Sequence, residues 1–380
     1  MTVDLSAPTI LLAGGGTGGH VYPLVAIAEA LRTLAPEVRP VFVGTERGIE
    51  SRVVPAKGFE LELMNILPIR GFGVSGAVRG VLRAARSLPE SRALLRRLAP
   101  VAVLTVGGYA AGPVSLVARL TGIPVGLLEP NAVMGLANRL MAPLVQRGYT
   151  AFEMAERHFD AGKAVRHGVP IRNGFLPLPL VLTSRPRRIL VLGGSQGART
   201  LNEHVPKALA NLGIPIAVRH QSGQNDLAQV EAAYAKASGL DAQVMAFIDD
   251  MPSAIGWADL VISRSGASAV SEICAIGRPS LLIPYPYAAG NHQQLNAECL
   301  AQVGAARWIR NSEATTVSLS REVASLLESE SVLLDMARAA MSYGRPWAAQ
   351  QIALDLLRLA GERLPDRFVS TAVVRMKEIV

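Results

Sequence analysis

One repeated plan constrains this chain more than anything else in it. "ILLAGGG" from Ile10 and "ILVLGGSQG" from Ile189 are each an apolar run that enters glycines and then a helical pattern. Further apolar runs follow at "PVFVG" (40–44), "VAVLTVGG" (101–108) and "IPVGLLE" (123–129) in the first half. The second half has "IPIAVRHQSG" (214–223), "AQVMAFI" (242–248), "ADLVISRSG" (258–266) and "RPSLLIPYP" (278–286), again with helical patterns between them. Parallel strands need crossover connections, and the crossover helices cover the sheet, so this alternation predicts α/β architecture with parallel sheets shielded on both faces. At 380 residues the chain also exceeds the size at which a single core stops growing. The expectation is two doubly wound domains, 1–170 and 189–345, facing across a cleft. A linker with three prolines, 171–188, joins them, and a helix and tail, 346–380, follow. Ligands of doubly wound sheets bind at the carboxyl ends of the strands, which places the expected site in the cleft.

Half the residues are hydrophobic and 18% are charged, the balance of a globular protein with large buried cores. Cys274 and Cys299 have no ligand spacing around them, so neither a disulfide framework nor a zinc site is expected, and a reducing, cytoplasmic setting is. "MTVDLSAPTI" lacks a basic stretch followed by an apolar core, so no signal peptide is expected. The longest uncharged run, Leu98 to Ala118, is broken by Pro100, Gly107, Gly108, Gly112 and Pro113, and reads as strand, glycine loop and helix start rather than a membrane span. A net charge of +8 points either to an acidic partner or simply to solubility. Aromatic residues make up 5% of the chain and interleave with no basic stretch, so nucleic acid is not an expected partner.

Ile10 to Ala13 reads as a strand and Tyr22 to Leu31 as a helix, which makes Gly14 to His20 a strand-to-helix turn. Such turns suit anions, because glycine lets a ligand approach the backbone and the free N–H groups of the helix start point at negative charge. A dinucleotide enzyme would need an acid about 20 residues beyond the glycines, but "VFVGTERG" places Gly44 and Thr45 there, with Glu46 further on. That reading stays open as an alternative, as does a catalytically silent nucleotide-binding protein. No G-x-x-x-x-G-K-[ST] occurs, so a P-loop is excluded. No Asp-x-Asp pair occurs either, so N–H groups, helix dipoles and cations would have to neutralise a leaving group. His20, beside the turn, is placed either to take a proton from an attacking hydroxyl or to cap the helix. In "SRSGASAVSEICAIG", Ser268 and Glu272 stand four apart on one helical face, where a carboxylate suits ribose hydroxyls. Asn291, His292, Gln293 and Gln294 form a polar cluster opening a helix, suited to sugar hydroxyls or to capping.

Taken together, "GGGTGGHVYP" (14–23), "VGGYAAGP" (106–113), "GGSQGAR" (193–199), "HQSGQ" (220–224), "FIDDM" (247–251), "RSGASAVSE" (264–272) and "NHQQLNA" (291–297) closely resemble the MurG family, the N-acetylglucosaminyltransferases of peptidoglycan synthesis. The resemblance implies the GT-B fold of two Rossmann-like domains. It also implies inverting, metal-independent and cofactor-free transfer of N-acetylglucosamine from UDP-N-acetylglucosamine to the C4 hydroxyl of an undecaprenyl-diphosphate-linked muramyl-pentapeptide. Carried over by position, His20 is the candidate base. Thr17, Gly18 and Gly19 lie near the donor, with Asn131 and Arg172 reaching into the cleft. Ser195 meets the UDP phosphates and Ile248 contacts uracil through its backbone. Ala267, Ser268, Ala269, Val270, Ser271 and Glu272 hold phosphate and ribose, and Gln293 and Gln294 read the sugar. Gly14, Gly15, Gly16, Gly107, Gly108, Tyr109 and Gly112 cradle the acceptor diphosphate. "LEPN", Leu128 to Asn131, departs from the family's His-Glu-Gln-Asn. A galactosyl-diacylglycerol synthase of the same fold is the neighbouring alternative, disfavoured by Gln293-Gln294 and "HQSG".

Seven arginines and one acid, Glu90, lie between Arg70 and Arg97. Val78, Val81, Leu82 and Ala85 follow helical spacing, with Arg79, Arg83 and Arg86 on a neighbouring face. The apolar stripe reads as core packing. The basic face, with Arg70 in the loop before it, predicts peripheral binding of the first domain to an anionic membrane surface on its cytoplasmic side.

Overall fold

The computed structural model describes residues 7–64, 87–108, 111–182, 186–194 and 196–379. The chain divides into two compact units, Met1–Asn173 with Trp347–Val380, and Gly174–Pro346.

In the first unit the described strands are β1 (Thr9–Gly14), β2 (Arg39–Gly44), β3 (Glu60–Leu63), β4 (Ala102–Gly107), β5 (Val125–Glu129), β6 (Arg147–Thr150) and β7 (Ala164–Val165). They pair in parallel in the order β3-β2-β1-β4-β5-β6-β7. The second unit has β8 (Arg187–Leu192), β9 (Ile216–Gln221), β10 (Leu240–Met245), β11 (Leu260–Ser263), β12 (Ser280–Leu282) and β13 (Ala306–Trp308), ordered β10-β9-β8-β11-β12-β13. These are the two doubly wound, Rossmann-like sheets that the repeated plan predicts. In each, strand order reverses beside the strand that enters the glycines, between β1 and β4 and between β8 and β11, and the crevice at such a reversal is where this architecture binds ligands.

The unbroken apolar character of β1 has a direct cause. All six residues are buried, and successive side chains enter different cores. Ile10 and Leu12 pack with the Gly18–Leu34 helix on one face, while Leu11 and Ala13 pack with the Leu88–Leu98 and Ala111–Leu120 helices on the other. Ile189 and Val191 of β8 do the same work in the second unit, beside Val218 and Ile262.

The division of the chain differs from the expected boundaries in two places. The segment after Asn173 is not a free tether: Phe175 is buried, and Arg278 donates to Leu178 O (2.6 Å) and Gly256 O (2.7 Å), fixing the segment to the second unit. The region after 346 does not stand apart either. Its helices, Ala348–Leu359 and Asp366–Ile379, complete the first unit's core with Ile352, Leu356, Phe368 and Ala372. Polar bonds lock them in place, Arg147 to Asp355 (2.8 Å) and Arg375 to Leu34 O (3.0 Å). The tail's role is therefore to cover one face of the first sheet.

Candidate functional site

In the first unit, β1 ends at Gly14, which is in register with Gly107 of β4, so the two glycine turns meet at the strand-order reversal. The Gly18–Leu34 helix starts four residues earlier than the pattern predicts, which puts His20 in its first turn. Thr17 is its N-cap and makes no side-chain capping bond. His20 Nδ1 lies 3.2 Å from Gly15 O. A carbonyl oxygen only accepts, so Nδ1 is the donor in this contact.

The glycines of this region fall into two classes. A Cβ on Gly14 would strike Val106, and one on Gly15 would strike the Glu50 carboxyl group. At Gly107 it would meet Asn138 at 2.9 Å, and at Gly108 the Gly15 backbone at 3.1 Å. Those four are glycine because protein fills the space. At Gly16 and Gly112, by contrast, a Cβ would meet nothing within 4 Å among the described residues, and at Gly19 only the Thr17 hydroxyl at 4.0 Å.

Glu50, which the sequence reading passed over, sits beneath the turn and is 1% exposed. It accepts from Gly16 N (2.8 Å), Thr45 N (2.9 Å) and the Thr45 hydroxyl (3.0 Å). The signal for it was the spacing of "GTERGIE": Gly44 and Gly48, like Gly15, lack a Cβ where the Glu50 side chain passes. Glu129, at the end of β5, is 3% exposed and accepts from Asn131 N (3.0 Å) and Asn138 Nδ2 (2.9 Å). Burial raises its carboxyl pKa, and the bonds from Asn138 and Asn131 partly offset that. The "LEPN" carboxylate thus braces Asn131. Arg172 is half-buried close to the unit's chain boundary.

In the second unit the Gly193 turn leads into the Arg199–Ala210 helix. It packs on the "HQSGQ" turn, where a Cβ on Gly223 would collide with the backbone of Gln196 and Gly197 at 2.6–2.8 Å. Beneath lies a polar network. Asn202 Nδ2 donates to Ser222 O (2.9 Å) and Asp226 (2.7 Å), and His220 bridges Asn202 Oδ1 (3.0 Å) and the Tyr234 hydroxyl (3.0 Å). Burial pushes the His220 imidazole down to about 3.

Across the strand-order reversal, the Ala267–Ile276 helix starts after Gly266 with no side-chain cap, and Ser268 and Glu272 are half-buried. Ser265 donates to Gln293 O (2.8 Å) and Asn296 Nδ2 to Ser265 O (3.1 Å), tying this turn to the His292–Gln302 helix. Arg264 Nη1 donates to Ile283 O, Pro284 O and Asn311, and burial lowers the guanidinium pKa. Ile248 N donates to Gln221 Oε1 (3.0 Å), so only its carbonyl is uncommitted for a base, and Phe247 beside it is exposed. Gln293 Oε1 accepts from Tyr285 N, and Gln294 bonds Asn291 and Glu298. The structure therefore gathers Thr17, Gly18, Gly19 and His20 in one unit, and Ala267, Ser268, Ala269, Val270, Ser271 and Glu272 near Gln293 in the other. Ser195, Tyr109, Arg70, Arg79, Arg83 and Arg86 lie outside the described residues.

Residues 10–150 match the glycosyltransferase family 28 N-terminal domain, and residues 188–352 the glycosyltransferase family 28 C-terminal domain. The chain is 48% identical over 359 residues to a protein of Sorangium cellulosum, across 93% of this chain and 88% of that one. That relative is named UDP-N-acetylglucosamine--N-acetylmuramyl-(pentapeptide) pyrophosphoryl-undecaprenol N-acetylglucosamine transferase. An Anaeromyxobacter dehalogenans protein of the same name is 43% identical over 365 residues, 94% of this chain and 95% of that one. Among solved structures, Acinetobacter baumannii MurG matches with a TM-score of 0.80 at 32% identity, over 92% of this chain and 99% of that one.

Proposed function

The chain belongs to glycosyltransferase family 28, in the MurG family, and transfers N-acetylglucosamine from UDP-N-acetylglucosamine to lipid I, forming lipid II; we propose that its two units divide this reaction into acceptor activation and donor binding. In the first unit His20 Nε2 takes the proton of the acceptor C4 hydroxyl. The freed oxygen attacks the anomeric carbon opposite the UDP group, the bond from that carbon to the diphosphate breaks with its electrons leaving on UDP, and configuration inverts. Leaving-group charge falls on N–H groups at the starts of the Ala267–Ile276 and Arg199–Ala210 helices, joined by Ser195, with no metal required. Glu272 and Ser268 hold the ribose, and the Ile248 carbonyl accepts from uracil. Gln293 and Gln294 exchange their present partners for sugar hydroxyls, and in the first unit Thr17, Gly18, Gly19, Asn131 and Arg172 are assigned to the donor as well. Gly16 and Gly112, open at Cβ, receive the acceptor diphosphate.

The bond from His20 Nδ1 to Gly15 O carries this reading, because it leaves Nε2 as the basic nitrogen. The test is product analysis with UDP-N-acetylglucosamine and a short-chain lipid-diphosphate muramyl-pentapeptide. A β-linked disaccharide formed at equal rate with and without chelator is expected. An α-linked product would rule out the single displacement.

Peripheral membrane attachment of the first unit belongs to the same proposal. Among its described residues Leu120, Leu136 and Leu140 are 75%, 71% and 68% exposed, and Arg119 donates to the carbonyl of Leu144, itself exposed. Exposed leucines next to arginines suit an anionic leaflet, each cation contributing about 1 kcal/mol. Flotation should show salt-sensitive binding to anionic vesicles that is lost in an Arg79→Glu, Arg83→Glu, Arg86→Glu variant. Equal binding to neutral vesicles would count against it.

A further inference from the structure

We propose that Glu50 is a positioning residue for His20, acting through the single peptide unit that joins Gly15 to Gly16. The N–H of that unit is Gly16 N, which donates to Glu50 Oε2 at 2.8 Å. Its carbonyl is Gly15 O, which accepts from His20 Nδ1 at 3.2 Å. One amide therefore carries the carboxylate at one end and the imidazole at the other, and hydrogen bonds in such a chain polarise one another.

Three features favour this role over a purely structural one. First, Glu50 is buried with its charge met only by amide and hydroxyl donors: among the described residues no lysine or arginine pairs with it. A buried carboxylate without a cation is costly to desolvate, and an apolar side chain would fill the space without that cost. Second, room for it is made by leaving out Cβ at Gly15, Gly44 and Gly48, two of them far in sequence from the turn they serve. Third, His20 stands in the first turn of a 17-residue helix that has no acidic residue in that turn. The positive end of the helix opposes an imidazolium there, and a carboxylate at the same end offsets it. As the proton of the acceptor hydroxyl arrives on Nε2, the positive charge that forms is drawn through Nδ1–H and the Gly15–Gly16 amide toward Glu50.

The inference rests on His20 being the base, and the experiment separates the two. Turnover and UDP affinity are measured for the wild type, Glu50→Gln, His20→Ala and the double variant. Glu50→Gln is expected to lower kcat about 10-fold, a fraction of what a general base contributes, with the Kd of UDP unchanged. In the His20→Ala background the same substitution should cause no further loss. If kcat is insensitive to His20→Ala, the base assignment fails and this inference with it. If His20→Ala is impaired but Glu50→Gln is not, or if Glu50→Gln costs as much without His20 as with it, only the positioning role is overturned. A readout that needs no folded variant is ¹⁵N NMR of the wild type: His20 should be the Nδ1–H tautomer at neutral pH, and an Nε2–H tautomer overturns the inference.

Discussion

The two glycine turns occupy the same place in two sheets of the same topology, yet they are braced in opposite ways. Beneath Gly14 to His20 lies a buried acid, Glu50, that consumes the N–H of Gly16. Beneath the Gly193 turn lie Asn202, His220, Ser222 and Tyr234, whose buried members are uncharged, with Asp226 at the half-buried edge. The contrast fits two electrostatic tasks. An imidazole that must accept a proton at a helix start benefits from negative charge beneath it. A helix start that takes up the charge growing on a leaving UDP group would be opposed by the same carboxylate. Shared topology therefore puts both turns at a strand-order reversal, and on the proposed division the residues under each turn decide what it can hold.

The sharpest way to break this contrast is to remove the reacting group from each side. His20→Ala should lower kcat by about 10²-fold or more and leave the Kd of UDP unchanged by calorimetry, since a general base contributes on that scale. A normal kcat would return His20 to a packing role.

Glu272→Ala should show the reverse profile. Losing a charge-assisted bond worth about 1.5 to 3 kcal/mol weakens UDP and UDP-N-acetylglucosamine alike by roughly 10- to 100-fold. Equal UDP affinity in wild type and variant would place Glu272 outside the nucleoside pocket.

The uncharged network gives the second turn an acid sensitivity. The imidazole of His220 falls from an ordinary value of 6.5 to about 3 in the fold, so the folded state binds fewer protons than the unfolded chain between those values. Its stabilisation is complete above pH 6.5 and is lost as pH falls toward 3, at about 1.4 kcal/mol per pH unit. Urea unfolding at pH 7, 6 and 5 should show the slope in the wild type, and a flatter one in His220→Gln, which starts from lower stability. The same slope in both proteins would assign it to other groups.

The smallest expected effect concerns glycine. Gly112→Ala, open at Cβ near a helix start, should raise stability by about 0.5 kcal/mol while slowing turnover on the lipid acceptor. Unchanged turnover would remove Gly112 from the acceptor site.

Much of this arrangement was legible in the sequence because it is local. A strand buried on both faces is an unbroken apolar run, and glycines mark its end, so both sheets could be placed from "ILLAGGG" and "ILVLGGSQG", although the first helix begins at Gly18, four residues before the pattern's Tyr22. What escaped is held by distant partners. Glu50 meets Gly16 across 34 positions of sequence, only because β2 lies beside β1. The last helix has an apolar stripe in its sequence, but nothing local says that Phe368 and Ala372 face the first unit's core. The glycine-rich turns also looked more open to ligand than they are, since Gly14, Gly15, Gly107 and Gly108 make room for other protein atoms, and only the folded neighbours reveal that.

Amide hydrogen exchange with UDP alone tests the division between the two turns most directly, because it reads both in one protein under one condition. Saturating UDP is predicted to slow exchange across 266–272 and around Ile248, and to leave 14–20 at its unliganded rate. Protection of 14–20 with none at 266–272 would contradict the account.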